Sequence, residues 1–196
     1  MPARPPGGED VNPTYSFKPS LMAPAWRFEL TDQGLSWRMG GRAGLWPYAG
    51  IARIRLSYRP TAMQARRYRA DIRNGDGRTI TVFSASWQAA TLLAPQDDPY
   101  RRFMLELHRR IAGAAGRPEL IGGLSRPLHA AALVASGFVY AALAGLLVRA
   151  VAVASIGGML FLVGFAALFG WKVGGALHRN RPRAYRLDDP PGDLLP

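Results

Sequence analysis

Apolar side chains recur along this chain at a spacing that changes from segment to segment. From Trp26 the spacing is two: Trp26, Phe28 and Leu30 alternate with Arg27 and Glu29, and Leu35, Trp37 and Met39 alternate with Ser36 and Arg38. Such alternation predicts half-buried strands. Thr31-Asp32-Gln33-Gly34 is the turn between these strands, and Gly40 to Gly44 is the next. Leu45-Trp46-Pro47-Tyr48 follows, and its proline marks a strand end or edge. From Ile51 onward Ala52, Ile54, Leu56 and Tyr58 point inward, with Arg53, Arg55 and Ser57 outward. Tyr68, Ala70 and Ile72 alternate with Arg69, Asp71 and Arg73. Asn74-Gly75-Asp76-Gly77 is a strong hairpin signal, and Ile80 and Val82 return inward. Six strands are predicted, with a seventh inside Ala85 to Leu93.

After Asp98-Pro99 the spacing becomes helical: Tyr100, Phe103, Met104, Leu107 and Ile111 share one face, opposite Arg101, Arg102, Arg109 and Arg110. Asp98 reads as the N-cap of a helix over residues 99–115, and His108 as a residue on its polar flank. Residues 118–127 read as a linker. Beyond it periodicity disappears into apolar sequence, and Arg149 is the only Lys, Arg, Asp or Glu between Leu128 and Trp171. Residues 128–148 supply a helix about 31 Å long, the thickness of bilayer hydrocarbon, and residues 150–171 a second one. The pattern therefore predicts a transmembrane helical hairpin over residues 128–178, turning near Arg149, with residues 179–196 as a cytoplasmic tail. Gly137, Ala141 and Gly145 on the first helix, with Ala154 and Gly158 on the second, recur four apart and are expected to pack helix against helix.

Composition adds direction. Basic residues cluster at Arg117 and Arg126 before the first span and at Lys172, Arg179, Arg181, Arg183 and Arg186 after the second, so the positive-inside rule places both termini in the cytoplasm. Only Lys18 and Lys172 are lysine among the 25 basic residues, and the formal net charge is +12. This Arg, Ala, Gly and Pro richness suits a GC-rich bacterial genome, and hence an inner-membrane location. Residues 1–25 carry Pro2, Pro5, Pro6, Pro13, Pro19 and Pro24 and are expected to be a disordered leader.

Antiparallel strands in a meander closed by one amphipathic helix, over residues 26–117, resemble the pleckstrin-homology superfold. Joined to a pair of apolar helices, the chain resembles bacterial PH-like domain membrane proteins, with Leu45-Trp46-Pro47-Tyr48 running into Ile51-Ala52-Arg53-Ile54 as the passage between two of the strands. The resemblance implies an α+β membrane protein: a PH-like antiparallel β-barrel or sandwich capped by a C-terminal helix, then a transmembrane hairpin. It also implies a binding module. Family members that bind lipid carry basic residues in the loop between their first two strands, whereas here that loop is Thr31-Asp32-Gln33-Gly34, with no basic residue.

Positive charge concentrates elsewhere, in Arg53, Arg55, Arg59, Arg66, Arg67, Arg69 and Arg73, around the loop from Pro60 to Ala65. Three readings of that cluster stay open: a solvated face, contact with anionic lipid headgroups, or an acidic protein partner. Nucleic acid is not expected, because no nucleic-acid motif accompanies the charge. The chain has no cysteine. Gly-x-Ser-x-Gly, His-Glu-x-x-His, Walker A and Rossmann patterns are absent, so no catalytic residue, metal ligand or cofactor is assigned and an enzyme is not expected. The sequence thus reads as a membrane-tethered binding or scaffolding module. The alternative is an accessory subunit docked through its hairpin, as a homo-oligomer or with another membrane protein.

Overall fold

The computed structural model describes residues 12–61, 66–90, 92–114 and 116–196. Residues 1–11 of the expected leader, 62–65 of the basic loop, Thr91 and Ala115 lie outside the described residues. One sheet holds β1 (Thr14–Phe17), β2 (Trp26–Thr31), β3 (Gly34–Met39) and β4 (Arg42–Trp46) in that order. A short 3-10 turn at Tyr48–Gly50 leads to β5 (Ile51–Tyr58), β6 (Tyr68–Asn74) and β7 (Thr79–Phe83) of a second sheet. The hairpin β8 (Ala85–Ala89) and β9 (Leu92–Pro95) precedes helix α1 (Asp97–Gly113). Then come β10 (Glu119–Gly122), α2 (Arg126–Ala152), α3 (Ile156–Arg179) and the two-residue β11 (Arg183–Ala184). The second sheet runs β11-β10-β5-β6-β7.

No sheet closes on itself, so the expected barrel is replaced by two open sheets around a common core. The alternation predicted this core well. Phe28, Leu30, Leu35, Ile54, Leu56, Tyr68, Ala70, Ile72, Ile80 and Val82 are all buried, and α1 adds Tyr100, Phe103, Met104, Leu107 and Ile111. Trp26, Trp37 and Met39 are only partly buried, because a groove opens beside them between the first sheet and the start of β7. Ala52 is exposed rather than inward, since a bulge between Ile51 and Arg53 shifts the register and gives Ile51 the inward place. The turn expected over Gly40 to Gly44 is confined to Gly40 and Gly41, whose positive φ angles of 53° and 80° let β4 begin at Arg42.

The expected boundaries change most at both ends of the sheet domain. Part of the leader is a core strand: β1 pairs with β2, and Tyr15 and Phe17 are buried. The expected linker contains β10, which lies parallel to β5, with Leu120 opposite Ile54. The expected tail returns to the domain, where β11 pairs with β10 and Leu194 and Leu195 enter the core. An ion pair between Arg183 and Asp193 and a hydrogen bond from Arg101 to the Pro196 carbonyl at 2.8 Å hold the last residues down. His108 is not on a polar flank. It is buried, with Nδ1 2.6 Å from the Met104 carbonyl and Nε2 2.9 Å from the Tyr185 hydroxyl, so a core histidine carries a tail contact. Asp98 is not the cap either, because α1 starts one residue earlier, leaving both Asp97 and Asp98 in the first turn.

Helices α2 and α3 are long and apolar enough to cross a membrane. At 27 and 24 residues they reach about 40 Å and 36 Å. Large apolar side chains such as Phe138, Val148, Leu160, Phe161 and Trp171 are exposed along them, a surface that water does not support. The turn falls at Val153 to Ser155, later than Arg149. Arg149 completes the last turn of α2, where a cation suits the helix C-terminus, and the Ser155 hydroxyl accepts from the Gly158 amide to start α3. Starting at Ile156, α3 reaches its full length by running on through Lys172 to Arg179. The helix-packing expectation is corrected as well. Gly137, Ala141 and Gly145 lie exposed on α2, and Ala154 sits in the turn with φ 50°. Gly158 alone of the five lies at a close approach, to Ser155 and Ala150. Mid-helix contact is made instead by Tyr140, whose ring meets Phe169 edge-on at 5.5 Å and whose hydroxyl fills the space beside Gly170.

Two measurements on the full-length protein in detergent check the tail closure. Leu194→Ala and Leu195→Ala should each lower unfolding stability by about 2–5 kcal/mol, the cost of emptying a buried leucine site; an unchanged denaturant midpoint would contradict core burial of the tail. Burial lowers the His108 pKa from its ordinary 6.5. The unfolded chain therefore takes up a proton that the folded chain resists, and stability present above about pH 6.5 is lost as pH falls below it. Between about pH 7.5 and pH 5.5 the melting temperature should fall more steeply for the wild type than for His108→Gln.

Candidate functional site

On the second sheet, the odd-numbered residues of β5 after the bulge and those of β6 point away from the core, and the sequence puts arginine at most of them. Register sets Arg53 beside Arg73, Arg55 beside Asp71 and Ser57 beside Arg69. On the outer neighbour β10, Glu119 stands opposite Arg53 and Ile121 opposite Arg55. The sheet therefore gathers most of the predicted basic residues on one face, and their local partners sort them.

Arg53 is neutralised by Glu119 at 2.6 Å, and Arg69 by Asp71 at 2.8 Å. Asp71 also accepts from the Thr81 hydroxyl at 2.7 Å. Arg66 points elsewhere, toward Asp97 of α1 at 3.6 Å. Arg73 is exposed at the far end of β6, beside the Asn74 turn. The remaining members differ in kind. Arg55, Arg59 and Arg67 each hold a buried Nε with no hydrogen-bond partner among the described residues, and so does the Ser57 hydroxyl between them. Arg67 lies flat over the Phe83 ring at 4.0 Å, which fixes its guanidinium plane without neutralising it. Burial, then repulsion from Arg69, lowers the pKa of Arg67. Arg59 is lowered in the same way, by burial and by Arg69 and Arg55 against the single opposing pull of Asp71. Both guanidiniums stay charged at neutral pH, so each holds a partly dehydrated charge beside a like one.

The position of this face follows from the helix ends. Asn180, the residue after α3, accepts from the Tyr58 amide at 3.0 Å and donates to the Tyr58 carbonyl at 2.8 Å, like an added strand residue at the end of β5. The Gly123 amide donates to the Leu56 carbonyl at 2.7 Å, and the Leu124 amide to the Asn180 carbonyl at 3.0 Å. Gly123 has φ 87°, and a Cβ there would come within 2.4 Å of the Arg181 carbonyl, so only glycine lets the two chain segments meet this closely. Arg179 stacks on Tyr58 at 5.0 Å. Arg59 therefore follows directly on the residue that anchors both apolar helices.

Arg126, Arg179 and Arg183 extend the basic face toward the helix ends. Their sequence positions indicate only the orientation of the hairpin; their closeness to β5 depends on β10 and Asn180, which carry no periodic signal. Comparison with protein-family models, with curated proteins and with solved structures finds no match.

If Arg59 sits among uncompensated like charges, Arg59→Gln should leave the melting temperature equal to or above that of the wild type at low salt. The difference should shrink at about 1 M salt, where the Debye length is near 3 Å. A drop in stability that is independent of salt would show that Arg59 serves packing.

Proposed function

We propose that this protein is a membrane-tethered binding module whose arginine face meets the anionic headgroups of the bilayer that holds its helices. The observation that carries the reading is the set of Arg55, Arg59 and Arg67, half-buried and without a partner at Nε among the described residues, with Arg59 one residue beyond Tyr58, where β5 meets the end of α3. A domain selected only for solubility has no use for guanidiniums that repel one another at partly dehydrated sites. Facing an anionic surface, each basic residue within a Debye length gains about 1 kcal/mol.

The α2 and α3 ends next to this face carry Arg126, Arg179, Arg181 and Arg183, against Arg149 alone near the opposite turn. By the positive-inside rule this asymmetry supports a cytoplasmic sheet domain with both termini on the same side, in a bacterial cell at the inner membrane. Antiparallel strands followed by a packed amphipathic helix remain the support for a pleckstrin-homology-like reading of the domain. Fold alone names no ligand. Here the ligand class comes from the arginines: an extended anionic surface.

The chain has no cysteine, so Thr61→Cys gives a single attachment point beside the face. With a polarity-sensitive fluorophore there, full-length protein in nanodiscs should show blue-shifted emission when phosphatidylglycerol is mixed into phosphatidylcholine. High salt, or the double change Arg59→Gln with Arg67→Gln, should abolish the shift. Equal emission in neutral and anionic discs would refute headgroup contact.

A further inference from the structure

A cavity of about 490 Å³ opens where the sheet domain meets the apolar helices, walled by β10, the first residues of α2 and the segment entering β11. Its lining includes Arg53, Arg55, Arg126 and Arg183. Two carboxylates answer these four cations: Glu119, in the lining and paired with Arg53, and Asp193, paired with Arg183. Arg55 and Arg126 have no carboxylate partner among the described residues, and the Arg55 Nε is buried with no acceptor. Apart from Ser125 the rest of the wall is apolar, with Ile121, Leu124, Pro127 and Pro182.

We propose that this cavity seats the phosphate of one anionic lipid molecule. The inference rests on the membrane reading above and goes beyond it. A diffuse arginine face attracts a charged surface, whereas a half-open cavity with two uncommitted guanidiniums selects one headgroup. Guanidinium forks fit phosphate oxygens in pairs, and two of them at one site hold a phosphate more firmly than surface charge does. The depth is right for a lipid. Arg126 opens α2 and the apolar run begins two residues later at Leu128, so a phosphate beside Arg126 lies at headgroup level. The apolar wall of Ile121, Leu124 and Pro127 then faces the glycerol and the first acyl carbons, which a free phosphate ion would leave bare. The cavity is also preformed: β10 is held by β5 on one side and β11 on the other, and the Gly123 contact pins its end.

The test uses full-length protein in neutral detergent, given short-chain phosphatidylglycerol, phosphatidylcholine or inorganic phosphate. Binding is read by native mass spectrometry and by melting temperature. Phosphatidylglycerol should be retained as a single adduct and should raise the melting temperature, with neither effect from phosphatidylcholine. Arg126→Gln and Arg55→Gln should each weaken retention about tenfold, the effect of removing one charge-assisted contact, while Arg73→Gln at the far end of β6 leaves it unchanged. Retention that is unaffected by Arg126→Gln and Arg55→Gln, or equal for the two lipids, overturns the proposal. Inorganic phosphate stabilising as strongly as phosphatidylglycerol overturns the lipid assignment. The two levels separate cleanly: Arg126→Gln should weaken retention of the single adduct and keep the nanodisc emission shift, whereas the Arg59 and Arg67 changes should abolish the shift and keep the adduct.

Discussion

The arrangement of this protein depends on the side chain of Asn180. By exchanging two hydrogen bonds with the Tyr58 backbone it extends the edge of β5 with the residue that ends α3, and the Gly123 amide does the same for the segment that leads into α2. Backbone groups at a strand end must find partners when buried. Here the partners come from the two helix termini, so the hydrogen bonds that finish the sheet also fix the sheet to the helices. Everything on the outer face of β5 and β6 inherits its place from that junction.

The arginines show what the placement costs and permits. Arg53 and Arg69 have carboxylates at 2.6 Å and 2.8 Å and behave as ordinary ion pairs on a sheet face. Arg59 and Arg67 have no such pair among the described residues, and burial, then repulsion from Arg69 on both and from Arg55 on Arg59, works against their charge. The fold tolerates this because the excess sits at the rim of the domain, over Phe83 and beside Ser57, while the core beneath is built mainly of apolar side chains. Unbalanced charge at a rim is a small liability for folding and a large asset for meeting a polyanion.

Strand periodicity made the core legible in the sequence wherever a strand was long enough to repeat. Phe28 with Leu30, Ile54 with Leu56 and the α1 face all lie where spacing put them, as do the two apolar helices. The segments that escaped are short and set in proline. Thr14–Phe17 offers only one alternation, Tyr15 and Phe17, between Pro13 and Pro19, and Leu194-Leu195 follows Pro190, Pro191 and Gly192. Their burial depends on a core that other strands have already built, and local composition does not record it. The arginine cluster was visible as charge density, but which arginines stand uncommitted was not. That distinction comes from Glu119 and Asp97, brought across the fold to Arg53 and Arg66, and from Asp71, two residues along β6 from Arg69.

Because β10 and β11 are antiparallel neighbours, the apolar hairpin is an insertion between two paired strands rather than an appendage after a finished domain. One consequence is mechanical. A domain tethered by a single linker turns freely over a bilayer, whereas one that sends a strand out and takes a strand back has two anchors a few ångströms apart and keeps one orientation toward the helices. A second is thermodynamic. Tyr15 and Phe17 from before the sheets and Leu194 and Leu195 from after the helices share the core with β5 and α1, so a fragment without the hairpin and tail would lack part of its own interior. The sheet domain and the apolar helices are therefore one folded unit, and an anion held by Arg55 and Arg126 would bear at once on the sheet and on the helix that leaves it.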